Sequence, residues 1–509
     1  MVDNGSNTTM FFTITVIIYE WLAHMVELRG LNVLKTMGAL TSLLGVLMIS
    51  VPLIDLGTGQ QVSTGFLAFS AVLIVGGFLL SRLKSQESLS FTEAVLSSTL
   101  AWTLLPAISA IPLSMELSIP FYDAFFESVS GFTGTGLTVL TGLESLKPSI
   151  LFWRALMQWV GELGFVVFAM VLFPFFYKYG LLMYGVERPV RIEASMYRTA
   201  KRLFNIYIVL TLAGALMLYY SGMNIFDAIT HSMTGIATGG MSNYDANYDV
   251  IYRAVPLTSI PLIIIMVLGA TNFLLLDKLL RGDVGEVARN EEFKLYLILL
   301  LFFSIITPIS ILVSNNFSSN IPEIIASGVF NSISAMTTTG FNIGVIGQLP
   351  YATKLTLTFS MLIGGMTFAT VGGIKVLRFL IILKKLKASS INVVTGGRAE
   401  TRIRLGGNIL DDSETASALL LALIHFTAVF TGAMLIKFML PGFDYADALF
   451  EATSAASCVG LSTGITSSMA PPGVKAVLII LMILGRLEYL PLLMLIGWAL
   501  GRKTIKLLR

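Results

Sequence analysis

DAFFESVSGFTGTG (Asp123–Gly136), DAITHSMTGIATGG (Asp227–Gly240), SGVFNSISAMTTTG (Ser327–Gly340) and DALFEATSAASCVG (Asp447–Gly460) superimpose without a gap. Each ends on glycine. The fifth column is polar in every copy (Glu127, His231, Asn331, Glu451) and the eighth is always a hydroxyl (Ser130, Thr234, Ser334, Ser454). Three copies begin Asp-Ala, which predicts a helix N-cap at Asp123, Asp227 and Asp447. The final glycines recur roughly every hundred residues, a period and register that define an internal fourfold repeat.

Each copy lies between two apolar stretches. The leading ones fall near 91–114, 203–221, 295–314 and 415–440, the closing ones near 149–177, 254–277, 351–383 and 474–500. Each is near the ~20 apolar residues that a helix needs to cross a bilayer. Two further candidates, 36–55 and 62–81, precede the repeats. The reading is an all-α polytopic membrane protein: ten transmembrane helices, with four helix–pore-loop–helix repeats around a central ion pore plus two leading helices. Its units are an N-terminal interfacial segment 1–30, the leading pair 31–85, and repeats at 86–187, 188–284, 285–398 and 399–509. Residues 1–30 lack the basic n-region and small-residue cleavage site of a signal peptide.

Composition agrees. Of the 509 residues, 55% are hydrophobic and 12% charged, half the ~25% charged of soluble domains. Disordered chains, secreted disulfide scaffolds and ordinary cytosolic enzymes are thereby excluded. The single cysteine, Cys458, excludes intrachain disulfides and multi-cysteine metal sites. His24, His231 and His425 are scattered, and a net charge of +3 is too small to imply nucleic acid. About three quarters of the 33 Lys and Arg fall before the first span, at 82–90, 178–202, 278–294, 378 and 384–410, and in the tail from Arg502. By the positive-inside rule both termini are cytoplasmic and the four hairpins enter from outside.

Non-helical backbone at membrane depth is tolerated only where protein buries it or where it lines a watery cavity. Four short helices pointing at one axis would present their negative C-terminal ends to a cation. The Gly/Thr/Ser stretches after them can adopt the φ/ψ needed to turn carbonyls inward. A ring of such oxygens replaces the water shell of a dehydrated alkali cation. Covalent catalysis is not called for.

The motifs SGFTGTGLT (130–138), IATGGMSN (236–243), AMTTTGFN (335–342) and SCVGLSTG (457–464) resemble those of the Trk/Ktr/HKT superfamily of potassium transporters. LFWRALMQWVGELG (151–164), LIGGMTFATVGGIKVLR (362–378) and GRLEYLPLL (485–493) place the resemblance in the TrkH branch, which carries two extra leading helices. The resemblance implies one subunit folded around a pore, with K+ as the transported ion and no organic cofactor in this chain. Its filter would be Thr133, Gly134, Thr135 and Gly136; Ala237, Thr238, Gly239 and Gly240; Thr337, Thr338, Thr339 and Gly340; Ser457, Cys458, Val459 and Gly460. In related proteins a serine at the first filter glycine accompanies sodium permeability, so Gly136 favours potassium. The fourth copy departs most from the others. The resemblance further implies a homodimer on nucleotide-binding RCK subunits of the TrkA type, in the cell membrane of a prokaryote.

Ionisable residues inside spans are functional candidates. Arg486 has two readings: a buried pair with Glu488 or a carboxylate on a neighbouring helix, or a cation facing the pore as an electrostatic barrier, which the resemblance supports. Gly364, Gly365, Gly372 and Gly373, with Thr367 and Thr370, either pack helices closely or break one into an intramembrane gating loop. Lys375 follows directly, free to meet helix carbonyls or the pore. Asp55, Glu116, Glu144, Asp245, Asp249 and Glu323 are loop acids that either attract cations or are merely solvated. His231 reads as a structural hydrogen-bonding residue, and His425 alone does not make a site. The basic loop 384–410 serves as an orientation signal beside anionic lipid or as a docking surface for a regulator. The main reading is K+ uptake through a gated carbonyl filter. Its rivals are Na+-permeable or H+/Na+-coupled transport and, remotely, an intramembrane hydrolase.

Overall fold

The computed structural model describes residues 30–83, 91–164, 196–314, 320–395, 403–406, 408–489 and 493. The segment 1–29, most of the loop 178–202 and the tail from Arg502 lie outside the described residues. Helices dominate, and the described strands form one small antiparallel pair, Arg404–Leu405 with Asn408–Ile409.

The leading pair is Gly30–Met48, prolonged by Ser50–Thr58, and Thr64–Ser81. Gly38 and Gly77 let these helices touch backbone to backbone, since a β-carbon on either would fall within 3.0 Å of the other's carbonyl. Such small-residue contacts are how helices associate where lipid offers no hydrophobic drive. Asp55 then joins the pair to the first repeat, accepting from Ser63 N at 2.8 Å and from Ser149 Oγ at 2.5 Å.

The four repeats share one plan. Leading helices span Phe91–Leu117, Met196–Tyr220, Glu291–Ser314 and Asp412–Met439. Pore helices span Phe121–Phe132, Ile225–Ile236, Ile321–Met336 and Tyr445–Ala456. Closing helices begin at Pro148, Ser259, Tyr351 and Pro472. Among the described residues, six helices are long and apolar enough to cross a membrane, or seven if one bent pair counts as a span.

The closing helices depart from the continuous spans that hydropathy suggests. The second breaks into Ser259–Gly269 and Phe273–Leu280, bent by 109°. Asn272 starts the second piece, its side chain accepting from Leu274 N at 2.9 Å. The third divides into Tyr351–Ile363 and Val376–Val394. The first stops at Leu163 before Gly164 (φ 95°), and the fourth stops at Arg486 before Glu488 and Tyr489 (φ 48° and 60°). Arg486 therefore ends a described helix rather than lying in the middle of one. Residues 165–177 and 494–500 of those expected spans lie outside the described residues.

The Asp-Ala starts also need correction. The N-caps lie three residues earlier, at Pro120, Asn224 and Asp444, so Asp123, Asp227 and Asp447 sit in the first turn. There they still meet the positive end of the helix dipole, and two of them join neighbouring repeats. Asp447 pairs with Lys354 of the third closing helix, and Asp123 with Lys475 of the fourth, at 2.7 and 2.6 Å. Between repeats 1 and 2, Asp245 accepts from Gly142 N and Leu143 N. Between repeats 2 and 3, Asp249 accepts from Gly344 N. These contacts give two of the loop acids structural work. Glu144 accepts from Asp245 N, Glu116 pairs with Lys147, and Arg253 reaches both Asp249 and Glu323.

Arg154 and Glu127 form a pair 2.8 Å apart with side chains 2% and 0% exposed. Removing one partner of such a pair costs about 3–5 kcal/mol, whereas replacing both can be neutral. Arg154→Met is thus expected to lower the temperature at which the detergent-solubilised protein loses its monodisperse peak, and adding Glu127→Leu to recover most of the loss.

Candidate functional site

The four pore helices lead into loops of one geometry. Backbone φ is positive at two alternate residues in each: Gly134 and Gly136, Thr238 and Gly240, Thr338 and Gly340, Cys458 and Gly460. The eighth-column residues hold these turns. The Ser130 carbonyl accepts from Thr135 N, and the Thr234 carbonyl from Gly239 N and Gly240 N. The Ser334 and Ser454 hydroxyls accept from Gly340 N and Gly460 N, each at 3.0 Å.

The fifth-column residues brace the chain leaving each loop. Glu127 accepts from Thr138 Oγ1 and Val139 N; Glu451 accepts from Ser462 Oγ and Thr463 N. Asn331 bonds both backbone groups of Ile343, at 2.9 Å each. His231 links the Asp227 carbonyl to Ser242 Oγ. Four different side chains therefore hold the same register, which is why the column is always polar.

The terminal glycines interlock. A β-carbon on Gly136 would strike the Gly239 carbonyl, one on Gly240 the Thr339 carbonyl, one on Gly340 the Val459 carbonyl, and one on Gly460 the Thr135 carbonyl, all well inside 3.0 Å. Each glycine thus abuts the residue preceding the next repeat's glycine, and the fourth returns to the first. Positive φ alone disfavours any other residue there, and the neighbouring carbonyl leaves no room for one.

The segment Gly364–Lys375 lies against the side of the loops toward which the pore helices point. A β-carbon on Gly372 would strike the Ser457 carbonyl, and Gly372 N donates to Thr338 Oγ1 at 3.2 Å. Thr370 Oγ1 donates within reach of the Ile236 and Gly269 carbonyls, and Thr238 Oγ1 donates to the Thr370 carbonyl. Glu292 tethers the segment by accepting from Thr367 N at 2.7 Å and from Thr367 Oγ1 at 3.0 Å. Gly365, Gly364 and Gly373 lie at its ends, where Val376 N returns to the Gly365 carbonyl. The glycines therefore break the helix rather than merely pack it.

Beneath this segment is a cavity of about 470 Å³ that reaches Cys458 and Gly372 and is lined by Lys375, Arg378, Arg486 and Glu488 among others. Arg486 Nη1 donates to Glu162 Oε2 at 2.6 Å, its Nη2 donates to the Gly161 carbonyl at 2.7 Å, and the guanidinium lies over Trp102. The carboxylate beside Arg486 is thus Glu162 of the first closing helix and not Glu488. Glu488 instead accepts from Lys375 Nζ at 2.6 Å and from Arg378 Nη2. Lys375 sits at φ 74° as the N-cap of Val376–Val394.

Two residues escaped the sequence reading. Glu162 follows Gly161 in VGELG as Arg486 follows Gly485 in LGRLE; aligning the closing helices as well as the loops would have exposed the opposed charges. Glu292 gave no signal, because an acid near a helix start is ordinary. His425 has company after all: its imidazole joins Ser457 Oγ at 3.2 Å to the Tyr489 hydroxyl at 2.9 Å, both supplied from elsewhere in the chain.

Repeated hairpins, a closed cycle of glycine loops and several apolar helices define a membrane transport protein rather than an enzyme. The chain belongs to the TrkH family, described as cation transport proteins, whose family model matches residues 59–500. It is 32% identical to an uncharacterized cation transporter of Methanocaldococcus jannaschii, over 94% of this chain and 97% of that one. It is also 32% identical to the Trk system potassium uptake protein TrkH of Escherichia coli, over 84% of this chain and 90% of that one. The crystal structure of the potassium transporter TrkH from Vibrio parahaemolyticus superimposes with a TM-score of 0.79 at 26% identity, covering 91% of this chain and 98% of that one.

Hydrogen bonds to a charged group contribute about 1.5–3 kcal/mol. Glu292→Ala is therefore expected to speed hydrogen exchange at the Thr367 amide by roughly tenfold or more, read by mass spectrometry on peptides spanning 364–375, with peptides from the pore helices unchanged.

Proposed function

We propose that this protein takes up K+ across the cell membrane of a prokaryote, with both termini cytoplasmic. The ion passes through the ring formed by residues 133–136, 237–240, 337–340 and 457–460. The observation that carries this reading is the closed cycle in which each terminal glycine abuts a carbonyl of the next repeat. Four backbone segments held at that spacing offer oxygen ligands that replace a cation's hydration shell, and the pore helices direct their negative ends toward it. The segment 364–375 acts as the gate, since it must move away from Ser457 and Thr338 before an ion can pass into the cavity. Arg486 stands at the cavity wall as an electrostatic control on that passage. A homodimer with nucleotide-binding RCK subunits of the TrkA type is proposed on family membership and on the name of the E. coli relative, a component of a Trk system.

Radioactive rubidium uptake into proteoliposomes, competed with K+ and Na+, tests the reading. K+ is expected to compete well and Na+ poorly. Gly340→Ser, which places a side chain against the Val459 carbonyl, is expected to reduce that discrimination by roughly tenfold, equivalent to about 1.4 kcal/mol. Equal competition by Na+ in the unmodified protein would favour the sodium-permeable alternative, to which the Ser457–Cys458–Val459 departure in the fourth loop points.

The Arg486–Glu162 pair yields a test by sign. Arg486→Ala removes a cation from the ion's route and leaves a carboxylate, so rubidium uptake is expected to rise. Glu162→Gln does the reverse, and uptake is expected to fall. A pair that only stabilises the fold would move both rates downward.

A further inference from the structure

One of the four loops is held from behind in a way the others are not. Gln158, on the first closing helix and fully buried, donates from Nε2 to the Gly239 carbonyl at 2.6 Å and accepts at Oε1 from Met241 N at 3.0 Å. The orientation of the amide is forced: a carbonyl can only accept and a backbone N–H can only donate. One side chain of repeat 1 therefore clamps repeat 2 on both sides of its terminal glycine, Gly240. The residues at the same distance beyond the other terminal glycines are Leu262, Leu362 and Met482, which can form no such bonds.

The loop sequence shows the matching adjustment. The position before the terminal glycine holds Thr135, Gly239, Thr339 and Val459. A β-carbon on Gly239 would fall within 3.0 Å of the Gln158 amide atoms. Where the other loops carry a branched side chain, the second has none, and the amide of Gln158 fills that place.

We propose that Gln158 is a positioning residue for ion discrimination, and this rests on the filter assignment proposed above. Its amide fixes the direction of the Gly239 carbonyl, which lies against Gly136 of the preceding repeat. A carbonyl so held resists closing down on the smaller Na+, whereas a released one can follow it. The bond also occupies one of the two lone pairs of that oxygen, so the ring is chemically unequal at this one junction.

The test is the ratio of Na+ to K+ concentrations that halve rubidium uptake in proteoliposomes. Gln158→Leu keeps the volume and removes both bonds; the ratio is expected to fall by roughly tenfold while the elution profile stays monodisperse. Should that variant fail to fold, Gln158→Glu is read instead, because it keeps an acceptor for Met241 N and loses the amide donor. A folded variant with an unchanged ratio overturns the proposal, as does an equal drop in Leu262→Met, made as a packing control at the same register in repeat 2. If the unmodified protein does not prefer K+, and Gly340→Ser has no effect, the filter assignment fails and carries this proposal with it. A selective parent protein with an indifferent Gln158→Leu sinks only the role of Gln158.

Discussion

The arrangement depends on a contact between backbones: a glycine at positive φ pressed against the carbonyl that precedes the next repeat's glycine. This contact occurs four times and closes on itself, so the position of each loop is set by both neighbours. Backbone at that depth cannot count on water for its hydrogen bonds. The eighth-column hydroxyls and carbonyls meet the amides within each loop, and the fifth-column side chains meet those just beyond. The pore helices and the charged ties between repeats keep four segments of backbone at that separation.

Fourfold likeness coexists with individuality in the supporting groups. Glu127 is matched by buried Arg154, Glu451 by a set of hydroxyls and amides, His231 by a serine and a carbonyl, and Asn331 by the backbone alone. Charge is admitted to the interior where partners are supplied; otherwise neutral polar groups do the same work. The same economy holds beneath the loops, where Arg486 meets Glu162, and Lys375 and Arg378 share Glu488. Pairing offsets the desolvation that an isolated charge would suffer there.

Much of this was legible in the sequence. The alignment of fourteen columns located the pore helices, the loops and the polar braces because each column answers a local requirement repeated four times. The glycine cluster at 364–373 marked a place where a helix either packs closely or breaks, and it breaks there. Hydropathy did not show the break at Thr271–Asn272, since two polar residues scarcely alter the average over a long apolar window. Partners contributed by distant segments were also hidden. Nothing near His425 announces Ser457 and Tyr489, and the match of Arg486 with Glu162 shows only when the closing helices are aligned as well as the loops. The Asp-Ala starts misled by three residues because an acid in the first turn and an acid at the cap satisfy the same dipole.

The last seam of the ring joins residues very far apart along the chain. Lys475 meets Asp123 across 352 residues, and Arg486 meets Glu162 across 324. Contacts of such separation form late and slowly. The contact that closes the cycle, Gly460 against the Thr135 carbonyl, therefore needs the last hairpin of the chain beside the first, so the four loops reach their final spacing only once the fourth repeat is in place.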